Sequence, residues 1–249
     1  MSRLPPARTA VLAAVVLGAA PAALAQPLPK VMLSAGAFAQ PGDRRLEERF
    51  GFDQYLERAT VRADHDIRGG GGLDGAVVVR IWRGVAAGVG VSHLARRISV
   101  AVTGEIPHPF HFSQPREIRG RQGDVPHEET AVHVLAAWLA PVGRRAVLMV
   151  AAGPSRFSIA HGFVRGLRYS ESYPFDTATF ASADVTRVRG TAAGFHAGAE
   201  VIWRLHRRAG AALLVRYTHA AVTLRSGPDR TARVEAGGIQ AGGGVRWLF

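Results

Sequence analysis

Thr191-Ala192-Ala193-Gly194-Phe195-His196-Ala197-Gly198-Ala199-Glu200-Val201-Ile202-Trp203-Arg204-Leu205 alternates along its whole length. Ala193, Phe195, Ala197, Ala199, Val201, Trp203 and Leu205 share one face. His196, Gly198, Glu200 and Arg204 share the other, with Ile202 the exception. Successive side chains of a strand point to opposite faces, so this is a strand with one apolar side. Seven alternate apolar positions make about 40 Å of strand, longer than strands of soluble sheets commonly run. That length suits a tilted strand that crosses a bilayer and projects beyond it. On this reading Val201→Arg, on the apolar face, destabilises the inserted barrel more than Gly198→Ser on the polar face does.

The pattern recurs on both sides of this stretch. Val31, Leu33, Ala35 and Ala37 oppose Ser34, Gly36 and Phe38; Val77, Val79 and Ile81 oppose Asp74, Val78 and Arg80. Val85, Ala87, Val89 and Val91 alternate with Ala86, Gly88, Gly90 and Ser92. Thr130, Val132, Val134, Ala136 and Trp138 oppose Glu129, His133 and Ala137, and Ala211, Leu213, Val215 and Tyr217 oppose Gly210, Ala212, Arg216 and Thr218. Residues 145–159 are apolar on both faces. Outward-apolar, inward-small-or-polar alternation is the signature of an antiparallel up-and-down transmembrane β-barrel. The expected strands are 31–40, 73–82, 85–104, 128–140, 145–160, 191–205, 209–225 and 232–249, which makes about eight. Residues 55–66 also look strand-like and are assigned as an extension inside the first loop; a missed partner for them would make ten. Short connections at 83–84, 141–144 and 206–208 alternate with long ones at 41–72, 105–127 and 160–190, as expected of periplasmic turns and extracellular loops.

The N-terminus carries an export signal. Arg3 and Arg8 precede an apolar run from Ala10 to Ala20, Pro21 breaks it, and Ala23-Leu24-Ala25 is a small-residue cleavage site. The run is too short for a spanning helix. The expected division is a cleaved signal peptide at 1–25 and one barrel domain at 26–249. The 249 residues include 31 Lys+Arg against 19 Asp+Glu, and no Cys. The cysteine count excludes a thiol nucleophile and any Cys-ligated metal. A hydrophobic share of 47% excludes wholesale disorder. Export turns the positive charge away from nucleic acid and towards anionic lipid or an acidic ligand.

The last strand ends Ile239-Gln240-Ala241-Gly242-Gly243-Gly244-Val245-Arg246-Trp247-Leu248-Phe249, with Ile239, Ala241, Gly243, Val245, Trp247 and Phe249 on one face. An alternating strand closed by an aromatic resembles the C-terminal sorting signal of bacterial outer-membrane barrels. The clustered glycines fit a seam where one wall closely approaches its neighbour. With the export signal, Pro107-His108-Pro109-Phe110, Pro115-Arg116 and Tyr173-Pro174-Phe175-Asp176, the chain resembles small eight-stranded outer-membrane barrels of OmpA/OmpW type. The resemblance implies location in the outer membrane of a Gram-negative cell, contact with its lipids and lipopolysaccharide, and recognition of Val245, Trp247 and Phe249 by the barrel-assembly machinery.

No constellation demands catalysis, and no cofactor is expected. Gly69–Gly72 lacks the Lys-Ser/Thr of a phosphate loop, and Gly153-Pro154-Ser155 lacks the hydrolase elbow. His127, Glu129 and His133 share a strand face that could in principle ligate a metal; a hydrogen-bonded lumen network is the favoured assignment. His108 and His111 are assigned to loop packing. Arg80, Glu129, His133, His196, Glu200, Arg204, Arg216 and Arg246 are the expected inward polar set. Mixed signs let them pair, and eight strands leave room for side chains or one small ligand. The expected function is a structural or surface-interaction barrel with a filled lumen. The alternatives are a narrow, porin-like or OmpW-like barrel passing small or apolar solutes, and a soluble periplasmic lipocalin-like binder.

Overall fold

Alternating segments joined by tight turns have one way to satisfy every backbone group, which is antiparallel pairing with the neighbour in sequence. The computed structural model describes residues 28–227 and 230–249; the leader expected at 1–25 lies outside the described residues. Ten strands are present among them: β1 (Val31–Gln40), β2 (Arg44–Gln54), β3 (Glu57–Ile67), β4 (Gly70–Trp82), β5 (Val85–Ile106), β6 (Arg116–Val142), β7 (Ala146–Glu171), β8 (Ala178–His206), β9 (Ala209–Arg225) and β10 (Thr231–Leu248). Eight of them close a ring in the order β1-β4-β5-β6-β7-β8-β9-β10, with β10 returning to β1 and all pairings antiparallel.

Closure depends on glycine. β1 and β10 pair from Met32↔Leu248 to Ala39↔Ala241, and the Phe249 N–H donates to the Val31 carbonyl at 2.9 Å. A Cβ on Gly244 would lie 2.1 Å from the Ala35 carbonyl oxygen, and one on Gly242 would lie 2.2 Å from that of Ala37. The run that looked like a tight seam is therefore one, and a side chain at either position would push the two edges apart.

Two expectations need correction. The missed partner of residues 55–66 is β2, which pairs with β3 from Arg44↔Ile67 to Gln54↔Glu57. β3 then joins β5 between Thr60↔Glu105 and Asp66↔Ser99, beyond the point where β4 has ended at Gly72↔Leu94. The β2–β3 hairpin thus continues the wall outward in place of β1 and β4. Its alternation was masked because Arg, Glu and Asp occupy the outward positions where the other strands carry Val and Leu. Most of the expected long loops are strand as well: β5, β6, β7 and β8 run on through much of 105–127 and 160–190. Those extensions leave the apolar zone, so their outer face turns polar and the period-two signal fades there.

β2 pairs with no second strand among the described residues. Its free edge faces the outer end of β10 and is held by side chains. Arg44 Nη1 donates to the Glu235 carbonyl at 2.6 Å, and Arg44 also donates to the Gly237 carbonyl. Arg230 Nη1 donates to the Arg49 carbonyl at 2.9 Å.

The outside of the ring carries an apolar belt. Leu73, Val77, Val79, Ile81, Val89, Val91, Val132, Val134, Leu213, Val215, Ile239 and Val245 are all exposed. On β8 the belt runs from Phe195 to Leu205, about 33 Å of strand. At the usual barrel tilt that is about 25 Å along the axis, the height of a hydrocarbon layer. On β6 it runs from Val132 to Val142, and on β7 from Ala146 to Pro154. All four tryptophans of the chain, Trp82, Trp138, Trp203 and Trp247, are exposed on this belt next to the short turns. They sit on β4, β6, β8 and β10, alternate strands of the ring, and so form an evenly spaced girdle at one rim.

Candidate functional site

The interior is built in layers, beginning at the tryptophan rim. Met32, Val78, Leu135, Leu139, Val147, Met149, Ile202 and Leu248 pack into an apolar layer across the barrel. Above it lies the first polar layer. Glu200 on β8 accepts from Arg246 Nε at 2.5 Å and Nη2 at 2.8 Å on β10, a bidentate pair with both residues buried. Arg216 on β9 donates from Nε to Gln240 Oε1 at 2.9 Å, and Gln240 Nε2 donates to Gln40 Oε1 at 2.8 Å. Asp74 Oδ2 lies 4.0 Å from Arg216 Nη1. A cavity of about 40 Å³ lies among Asp74, His196, Glu200, Arg216 and Arg246, room for two or three waters. Charges of opposite sign offset one another here, where single charges would be costly.

The second layer is a hydrogen-bonded chain across four strands. Ser92 Oγ on β5 lies 3.0 Å from His133 Nε2 on β6. His133 Nδ1 lies 2.8 Å from Ser155 Oγ on β7, and the same hydroxyl lies 3.0 Å from His196 Nδ1 on β8.

The third layer sits beyond the belt, where the β2–β3 hairpin joins the wall. Glu129 Oε1 lies 2.9 Å from His127 Nε2 and accepts from Arg96 Nη2 at 3.0 Å; Oε2 accepts from the Gly237 N–H at 2.9 Å. His127 Nδ1 lies 2.9 Å from His161 Nδ1, and His161 Nε2 lies 3.1 Å from His65 Nδ1. All three imidazoles are completely buried. Burial opposes the charge of Glu129, but its bonds to His127 and Gly237, with Arg44 nearby, hold its pKa down at about 2. Burial pushes the His161 pKa down to about 2, with His65, His127 and Arg96 acting in the same direction.

Outside this layer the walls fill with Phe50, Val61, Val100, Val102, Phe163 and Val222. Three hairpin tips are tied together at the far end. Arg116 Nη1 donates to Glu171 Oε2 at 2.6 Å and to the Phe175 carbonyl at 2.9 Å, while Tyr55 donates to Glu171. Burial raises the Glu171 pKa, but the Tyr55 and Arg116 bonds and the nearby His108 outweigh it and leave it lowered.

The expected inward set falls into three groups. His196, Glu200, Arg216 and Arg246 meet around the small cavity, and Glu200 finds its arginine in Arg246. Glu129 and His133 lie inside but in different layers. His133 turns to Ser92 and Ser155, while His127 bonds to Glu129 and His161, so the three do not converge as a metal face would require. Arg80 and Arg204 are only half-buried at the tryptophan rim, where Arg80 Nε donates to the Pro29 carbonyl at 3.1 Å. Val245, Trp247 and Phe249 point outward on the belt. His108 is held in its loop, accepting the Phe110 N–H at 3.1 Å and the His111 N–H at 3.2 Å on Nδ1.

Sequence reasoning missed Glu48, His65 and His161. Each shares parity with buried neighbours: Glu48 with Phe50, His65 with Val61 and Ala63, His161 with Phe157 and Ile159. That parity was readable, but the first segment was not assigned as a strand and the other two lay at or beyond assigned strand ends.

No protein-family model and no curated protein matches the chain. Among solved structures it is similar to the outer membrane protein OprG from Pseudomonas aeruginosa, with 10% identity and a TM-score of 0.48 over 89% of this chain and 96% of that one. It is similar to Neisserial surface protein A (NspA), with 11% identity and a TM-score of 0.40 over 90% and 100%. It is also similar to Ail, the attachment invasion locus protein of Yersinia pestis, with 11% identity and a TM-score of 0.38 over 88% and 99%. These structural neighbours are outer-membrane β-barrel proteins.

Proposed function

We propose that this chain is an outer-membrane β-barrel of the OmpA/OmpW kind whose lumen is closed by its own side chains. It acts as an anchored structural and surface-interaction protein, without catalysis or solute passage. The belt of exposed Val, Leu and Ile with its rim of four tryptophans supports insertion, because a soluble protein does not leave so continuous an apolar band in water. The observation that carries the closed lumen is the buried Glu200–Arg246 pair with the Arg216–Gln240–Gln40 chain beside it. In a water-filled channel these groups would be solvated and spread along the wall. Outward-facing Val245, Trp247 and Phe249 suit a terminal strand presented to the assembly machinery, and the belt suits contact with membrane lipid and lipopolysaccharide. The extracellular extensions of β2, β3 and β5–β8 are then the part that meets the surroundings.

The test is planar-bilayer recording on protein whose insertion has been established by heat-modifiable gel migration. A closed lumen gives inserted protein with no discrete conductance steps. Stable steps that disappear on mutating Glu200 or Arg216 would replace this reading with a narrow pore.

A further inference from the structure

The chain Glu129–His127–His161–His65 has a direction set by its own hydrogen bonds. A carboxylate only accepts, so His127 Nε2, 2.9 Å from Glu129 Oε1, carries a hydrogen. A neutral imidazole has one N–H and one lone pair. His127 Nδ1 then accepts from His161 Nδ1–H at 2.9 Å, and His161 Nε2 accepts from His65 Nδ1–H at 3.1 Å. Three neutral imidazoles therefore end on the lone pair of His65 Nε2. Facing it at 3.7 Å is Glu48 Oε2, another acceptor. His65 Nε2 and both carboxylate oxygens of Glu48 are sealed from solvent and have no hydrogen-bond partner.

Two facing buried acceptors are unfavourable until a cation sits between them. The charged groups packed around the contact are already engaged. Arg44 on β2 and Arg96 on β5 lie 3.8 Å and 3.0 Å from Glu129 on β6, and Asp64 and Asp66 point to the opposite face of β3. Glu48 and His65 supply two protein groups, one fewer than the three of a typical open metal site. A hydrogen needs only two.

We propose that the Glu48–His65 contact is a buried binding site for one proton, taken up at His65 Nε2 when the β2 edge opens and shared along the histidine chain, and that this proton latches the β2–β3 hairpin to the barrel. Loading reverses each tautomer. His65 Nε2–H donates to Glu48 as the pair closes from 3.7 Å to hydrogen-bond distance, His161 Nε2–H donates to His65 Nδ1, and His127 Nδ1–H donates to His161 Nδ1, while His127 Nε2–H keeps Glu129. The positive charge then rests on His127 beside Glu129. One concerted shift of hydrogens carries it to His65 beside Glu48. Burial, with His65, His127 and Arg96 nearby, disfavours charge on the middle imidazole, His161. The loaded chain spans from β2 and β3 across the lumen to β7 and β6. It holds the strand whose other edge is fastened, among the described residues, by the side chains of Arg44 and Arg230.

The test uses the protein refolded in lipid nanodiscs with ¹⁵N-labelled histidine, reading the His65 tautomer by imidazole nitrogen shifts and β2 amide protection by hydrogen exchange. The expected result is a hydrogen on His65 Nε2 near about pH 6, lost towards about pH 9. β2 exchange should accelerate together with that loss by about tenfold beyond the intrinsic rate change, while β8 and β9 stay protected. In Glu48→Gln the amide donates to the His65 lone pair, so Nε2 is bare and β2 stays protected at both pH values. The proposal is overturned by a wild-type His65 Nε2 that is bare at about pH 6, or by β2 protection that does not change with pH. It is equally overturned by a stoichiometric divalent metal whose chelation loosens the hairpin. Should Glu48→Gln not refold, the two wild-type readings decide alone.

Discussion

Removing Glu200 is the sharpest perturbation of the closed lumen. Glu200→Ala leaves Arg246 as an uncompensated charge inside the barrel, and breaking a buried pair from one side costs about 3–5 kcal/mol. Two features of the site place this change at the lower end. Arg246 Nη1 keeps a bond to the Val245 carbonyl at 3.0 Å. The truncation also enlarges a polar cavity of about 40 Å³ that can admit water. A loss of about 3 kcal/mol is expected, roughly a hundredfold in the folded-to-unfolded ratio. The assay is urea unfolding in phospholipid vesicles, run beside planar-bilayer conductance. Stability should fall and leak conductance should rise together, because the same side chains hold and fill the barrel. The double variant Glu200→Ala/Arg246→Met should be less damaged than Glu200→Ala alone, since no charge is then stranded. A single variant that loses under about 1 kcal/mol, or a double variant whose loss equals the sum of the two singles, would refute the reasoning.

Val201→Arg puts a charge on the outer face of β8 within the belt and should cost about 2–4 kcal/mol in vesicles, read as a lower urea midpoint. Gly244→Val should block folding, measured as loss of heat-modifiable migration, because its Cβ would meet the Ala35 carbonyl at 2.1 Å; normal migration would show that β1 and β10 do not close the ring. Phe249→Asp places a carboxylate on the belt's rim and should reduce outer-membrane insertion in cells, scored by membrane fractionation, with wild-type levels counting against an assembly role. Acid should loosen the tied tips. The Glu171 pKa is lowered in the fold, so its contribution is present above the ordinary carboxylate range and is lost as pH falls through and below it. Faster amide exchange at 107–115 and 172–177 in acid, absent in Glu171→Gln, is the expected result.

What was legible in the sequence follows from where the solvent changes. Within the belt an outward Val or Leu alternates with an inward Gly, Ser or charge, and β1 and β9 could be bounded closely from that contrast alone. Beyond the belt both faces of the wall meet different partners. Outward positions become Arg, Glu and Thr while inward ones stay Val and Ile, as along Arg58–Ile67, and hydrophobic periodicity weakens. Parity still identified Glu200 and Arg246 as inward residues, but only the register of β8 and β10 on the intervening β9 brings them together. Gly198 illustrates the limit. It lies on the polar face, yet a Cβ there would sit 2.6 Å from the Val215 carbonyl, so Gly198→Ser carries a steric cost of its own. Close backbone approach leaves no trace in an alternation pattern beyond the glycine itself.

The four native tryptophans report the central claim directly, because all of them lie on the belt at the same rim. The decisive measurement is the quenching of their fluorescence in vesicles of lipids brominated at successive acyl depths. Insertion as described predicts strong quenching by bromines near the headgroup and weak quenching by bromines at the bilayer centre. Quenching that is absent at every depth, or greatest at the bilayer centre, would contradict a membrane barrel with its girdle at the interface.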